Sequence, residues 1–173
     1  MRAFIGLGGN LGEPRQAFVS AVREMEAIGQ VVRVSSLYET EPRDLLDQPI
    51  FTNAALELVT DLDPGELLSH LKRLEIALGR EPNAERFSSR TVDLDILAFD
   101  GHCVADMEID LIVPHPRLQE RRFVLEPLAE LDPGLRPWRN CSDLRTDVTV
   151  ADLLPSVADQ SVMRIGGPEW ADR

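Results

Sequence analysis

The stretch Thr91-Val92-Asp93-Leu94-Asp95-Ile96 leaves its chain few conformations. Successive side chains of a strand point to opposite faces, so as a strand it sends Val92, Leu94 and Ile96 one way and Asp93 and Asp95 the other. Continued through Leu97 to Phe99, it demands an apolar partner layer on one side and tolerates two parallel carboxylates on the other. Like charges at adjacent same-face positions repel. The pair is therefore poor unless a cation or hydrogen-bond donors stand between the acids, or unless the strand is an edge with a solvated acidic face.

Nearby arginines weigh against the solvated edge. The segment from Gly79 to Arg90 carries Arg80, Arg86 and Arg90, and a second group holds Arg117, Arg121 and Arg122. Guanidinium groups bind phosphate oxygens bidentately, so cations beside the acids suggest a bound polyanion. Surface pairing with Glu81 and Glu85 is the plainer alternative for any one of them. Hard oxygen ligands suit magnesium, which keeps waters and completes its shell with phosphates, and two such ions suit phosphoryl transfer. The net charge of −12 argues against a nucleic-acid footprint and leaves any anion to these local arginines.

The pattern around this strand indicates one domain over residues 1–173. Arg2 to Leu7 reads as a strand broken by Gly6, Gly8, Gly9 and Gly12. Pro14 suits a helix start, with Phe18, Val22 and Met25 at helical spacing up to Gly29. Val31 to Tyr38 reads as a second strand. Phe51 to Thr60 reads as a third, with Phe51 and Asn53 on one face and Thr52 and Ala54 on the other. Asp63-Pro64-Gly65-Glu66 has the form of a capping box, opening a helix to about Leu78 with Leu67, Leu71, Leu74 and Leu78 on one stripe. The resulting order is an α+β fold with a ferredoxin-like βαββαβ core. A further strand near Ile109 to Val113, a short helix from Pro116, a helix from Phe123 to Leu131 and a weak one around Val150 to Leu154 follow. The tail from about Asn140 carries no clear motif.

Other signals are weaker. Gly6-Leu7-Gly8-Gly9-Asn10-Leu11-Gly12 fails both the dinucleotide and the P-loop pattern, which leaves a tight turn lining a pocket or a plain loop. His70 and His102 read as surface residues. His115, held between Pro114 and Pro116, fits a phosphate donor or a structural role. Cys103 and Cys141 read as ordinary thiols, with no close spacing and no secretory context. No apolar run approaches the length of a membrane span or a signal peptide, so a cytoplasmic, membrane-free protein is expected.

Six pieces occur in order: Gly6 to Gly12, Tyr38-Glu39-Thr40-Glu41-Pro42, Gln48-Pro49-Ile50-Phe51-Thr52-Asn53-Ala54, Arg90 to Ile96, Val113-Pro114-His115-Pro116-Arg117-Leu118 and Arg121 to Leu128. Together, over residues 2–133, they resemble the 6-hydroxymethyl-7,8-dihydropterin pyrophosphokinase family of folate biosynthesis. The resemblance implies ATP-dependent transfer of a diphosphoryl group to the pterin's hydroxymethyl oxygen, with AMP released. It implies two magnesium ions on Asp93 and Asp95, catalytic roles for Arg80 and Arg90, and ATP contacts from Glu75, Arg80, Arg90, His115 and Arg121. The pterin would lie between Phe51 and Phe123, with Asn53 and groups near Thr40 and Pro42 reading its amide edge. ATP and the pterin would be its partners, and a monomer is expected.

Several positions depart from the family pattern. Phe87-Ser88-Ser89 stands where Trp-Gly-Pro is usual, and Pro82 where some members carry an arginine. Residues 43–47 lack the usual glycine and proline richness, and Gly8-Gly9-Asn10 replaces Gly-Ser-Asn. Two rival readings stay open: a magnesium phosphotransferase with another acceptor, and a ferredoxin-like RNA-binding module. The acidic charge and the lack of an aromatic-rich strand weigh against the second.

Overall fold

The computed structural model describes residues 1–42, 47–81, 89–142 and 145–172. In chain order its elements are β1 (Arg2–Gly9), α1 (Pro14–Met25), β2 (Gln30–Val34), β3 (Leu37–Thr40), β4 (Phe51–Val59), α2 (Pro64–Ala77), β5 (Asp93–Phe99), β6 (Val104–Asp106), β7 (Leu111–Val113), α3 (Arg122–Leu131), α4 (Val150–Leu153) and β8 (Met163–Gly166). Short 3-10 turns occupy Leu118–Glu120, Leu154–Val157 and Pro168–Ala171.

Six strands form an antiparallel sheet in the order β5-β1-β4-β3-β8, with β2 also on β4. The core is the βαββαβ arrangement that the sequence pattern implies. Alternation sorts its two faces. Ile5 and Leu7 of β1, Leu56 and Leu58 of β4 and Leu94 and Ile96 of β5 pack against Phe18 and Met25 of α1 and Leu67 and Leu71 of α2. Phe4, Ala55 and Ala98 meet Leu125, Leu128 and Leu131 of α3 on the other face. The α2 cap forms as its sequence predicts: Glu66 N–H donates to Asp63 Oδ1 at 2.8 Å, and Asp63 N–H to Glu66 Oε2 at 3.0 Å.

Three expectations change. The single strand over Val31 to Tyr38 is split at Ser35 and Ser36, because both serines are buried and bond sideways. Ala55 N–H donates to Ser35 Oγ, and Ser36 N–H and Oγ–H donate to Glu130 of α3. The cysteines are not free thiols: Cys103 and Cys141 form a disulfide, with Cα atoms 5.3 Å apart. The segment after α3 folds back over the end of β5, where Asn140 N–H donates to Gly101 O at 3.0 Å, and so closes a sequence gap of 38. The motif-free tail proves integral. It supplies β8 to the sheet edge and Trp170, which is 2% exposed, stands edge-on to Phe18 at 6.0 Å and donates from Nε1 to Ser35 O at 2.7 Å.

Candidate active site

The part of the sheet that α3 leaves open is the floor of a cleft of about 530 Å³. Register sets the floor residues side by side. Gly8 lies between Asn53 and Asp93, and Gly6 is paired with Asp95. Because β1 presents glycines there, nothing projects between the asparagine on one side and the carboxylates on the other. The glycines at 6, 8 and 9 therefore do not break the strand as the sequence suggests: they belong to β1, and the segment lines the pocket as strand through Gly6 and Gly8 and, just past the strand's end, through Leu11. A Cβ on Gly9 would collide with the Thr91 carbonyl oxygen, so in this chain the two backbone segments approach more closely than a serine at this position would allow.

Asp93 carries cations on both oxygens. Arg80 Nη1 donates to Oδ1 and Arg90 Nη1 to Oδ2, each at 2.7 Å. Burial pushes the Asp93 carboxyl up, but Arg90 and Arg80 outweigh it and hold the group below its ordinary range. Asp95 goes the other way. Burial first, then the neighbouring Asp93 charge, push it up to about 6. Two carboxylates on one strand face thus titrate apart, a mark of functional sites.

Glu75 reaches the back of β5 from α2. It is 1% exposed and lies outside the residues that line the cleft. Leu94 N–H donates to its Oε1 at 2.7 Å, Arg80 Nη1 stands 2.6 Å from Oε2, and Lys72 Nζ lies 3.2 Å from both oxygens. Burial is the main cause of its raised pKa.

His115 is held by its backbone, whose N–H donates to Leu97 O at 2.9 Å. Its Nδ1 accepts from Arg117 N–H at 3.1 Å, which leaves Nε2 to carry the proton. Burial, then Arg121 and Arg117, lower its pKa to about 4, so at neutral pH it is an uncharged donor. Arg121 stands over the Phe123 ring at 5.5 Å, and both border the cleft. The cleft is also lined by Phe51, Thr40, Pro42 and Asn53, whose Nδ2 donates to Thr40 Oγ1 at 3.0 Å. Every predicted site residue except Glu75 therefore borders one cleft. The departures at Pro82, Phe87 and Ser88, Arg86 and the loop 43–46 lie outside the described residues.

Sequence reading missed two residues. Asn10, 5% exposed, ties three segments together. Its Nδ2 donates to Gln48 Oε1, Pro49 O and Ser89 Oγ, while its Oδ1 accepts Arg90 N–H at 2.9 Å. Only its place in the glycine turn hinted at this. Lys72 was legible as the residue one helical turn before Glu75.

The model of the 7,8-dihydro-6-hydroxymethylpterin-pyrophosphokinase family matches residues 4–133. The chain belongs to that family. It is an enzyme, a pyrophosphokinase acting on hydroxymethyldihydropterin in folate biosynthesis. Among curated relatives, the 2-amino-4-hydroxy-6-hydroxymethyldihydropteridine pyrophosphokinase of Bacillus subtilis is 39% identical over 166 residues, covering 94% of this chain and 89% of that one. The folate synthesis bifunctional protein of Arabidopsis thaliana is 48% identical over 128 residues, 73% of this chain, and the match spans only 26% of that longer protein. A crystal structure of Plasmodium falciparum HPPK-DHPS shares the fold with a TM-score of 0.70 at 16% identity, over 91% of this chain and 45% of that one. Members of this pyrophosphokinase family thus occur both as short chains and within larger fusions.

Proposed function

We propose that the cleft transfers the β,γ-diphosphoryl group of ATP to the hydroxymethyl oxygen of the dihydropterin, with two magnesium ions held on Asp93 and Asp95. The observation that carries this reading is that two same-face carboxylates line one cleft together with Arg80, Arg90 and Arg121, the first two bonded to Asp93. Among the described residues no group of three or more His, Cys, Asp or Glu could hold a metal. Two carboxylates suit a cation that takes the rest of its shell from water and substrate phosphates. When bound, magnesium supplies charge that offsets the charge on the transferring phosphates.

The chain's own residues position the reactants. Arg80 and Arg90 move from Asp93 to phosphate oxygens, His115 donates from Nε2 to another, and Arg121 adds charge beside Phe123. Phe51 and Phe123 hold the pterin ring, and Asn53, steadied by Thr40 and with Pro42 beside it, reads its amide edge. The acceptor hydroxyl oxygen attacks the β-phosphorus, the bond from that phosphorus to the oxygen bridging it to the α-phosphate breaks, AMP leaves with that oxygen, and the hydroxyl proton is released to water. Glu75 serves the nucleotide side indirectly, through Arg80. The enzyme is proposed to act as a monomer with ATP as its co-substrate; no described helix is long and apolar enough to cross a membrane.

Replacing Asp95 with alanine should abolish AMP formation from ATP and the dihydropterin by at least about a thousandfold, in line with loss of a charge-stabilising group. Full turnover by D95A in magnesium would overturn the metal assignment.

A further inference from the structure

Arg80 has two carboxylates to satisfy before it can serve a substrate. Its Nη1 lies 2.6 Å from Glu75 Oε2 and 2.7 Å from Asp93 Oδ1. Asp93, on the reading above, gains magnesium when its arginines leave for the phosphates. Glu75 has no such replacement in prospect. It cannot follow Arg80, because it is 1% exposed and bound to Leu94 N–H between the two metal-site aspartates. A buried carboxylate stripped of its counter-cation is costly, so whatever keeps Glu75 compensated also decides how freely Arg80 can go.

Lys72 is placed for that task. It sits on the same helix, three residues earlier, with Nζ at 3.2 Å from both Glu75 oxygens. Its side chain is 45% exposed and borders the cleft, so its ammonium can settle fully onto Glu75 without crossing the core. We propose that Lys72 is a positioning residue that neutralises Glu75 and thereby frees Arg80 to exchange between its resting carboxylates and the nucleotide phosphates. In this arrangement Lys72 acts through Glu75 and need not touch the nucleotide. The inference rests on the reading that Arg80 binds phosphate.

The test is a double-mutant cycle on nucleotide affinity, measured by calorimetry with α,β-methylene-ATP and magnesium. K72M should weaken binding about tenfold, because Arg80 then stays on Glu75. In the E75Q background, where the amide oxygen can still accept from Leu94 N–H but no charge needs a partner, K72M should cost less than twofold. An equal loss in both backgrounds would mean that Lys72 contacts the nucleotide directly, and no loss in either would mean that Arg80 leaves unaided; each overturns the proposal. R80M should lose affinity in both backgrounds, and if it does not, the phosphate reading of Arg80 fails instead. Should E75Q not fold, side-chain NMR of labelled arginine decides: the Arg80 guanidinium signals should shift with nucleotide in the native protein and stay in place in K72M. A full shift in K72M overturns the proposal.

Discussion

Asp95 shows at the level of one residue how the site's function opposes its stability. Its carboxyl is raised from 3.8 unfolded to about 6 folded, mainly by burial and next by Asp93. The sign follows: between those values the folded state holds a proton the unfolded state has lost, so stability falls as pH rises towards and through about 6. Above that the buried charge costs about 2–3 kcal/mol. D95N cannot ionise, so in magnesium-free buffer it should be more stable than the native enzyme at pH 8 by about that amount. Near pH 4 the two should differ little. Urea unfolding at both pH values checks this, and a gap that persists at pH 4 would mean that charge is not its source. The alternation Val92-Asp93-Leu94-Asp95-Ile96 made the shared face of the two acids readable in sequence. The pairing of Asp93 with Arg80 and Arg90 was not readable, because it depends on where the chain after α2 returns to β5.

Among the elements, β5 carries function at one end and a covalent tie at the other. Asp93 begins the strand, while Cys103 follows shortly after its last residue, Phe99, and bonds Cys141. Helices with strong local signals were legible: the capping box of α2, and the apolar spacing of α1 and α3. What depended on distant partners was not. The break at Ser35 and Ser36 exists because Glu130 and Ala55 bond there, and the cysteine pair because the turn after α3 covers Gly101. A closed loop of this length should contribute about 4 kcal/mol at most by its effect on the unfolded chain. Reduction should therefore lower the melting temperature measurably and expose two titratable thiols. Turnover at 25 °C should be retained, since the tie lies away from the cleft; loss of more than half the activity in the reduced, folded enzyme would contradict that separation.

Across the whole molecule, the family match ends at residue 133, yet the sheet is finished by residues beyond it. β8 pairs with β3, and Trp170 plugs the helix-side core against Phe18. Replacing Trp170 with alanine should cost about 3–5 kcal/mol, as for other buried aromatics. W170F, which keeps the ring and loses the bond to Ser35 O, should cost about 1–2 kcal/mol. Denaturant unfolding reads both, and turnover per folded molecule should be unchanged because Trp170 lies outside the cleft. Sequence could not announce this role, since a lone tryptophan in a tail without helical or strand periodicity has no local pattern to betray its partner. The same contact sets a condition on synthesis. A nascent chain can assemble β1 to β5 early, but Trp170 must emerge from the ribosome before its seat beside Phe18 is filled, so until then the growing protein exposes an apolar socket that a chaperone or a neighbouring chain can occupy.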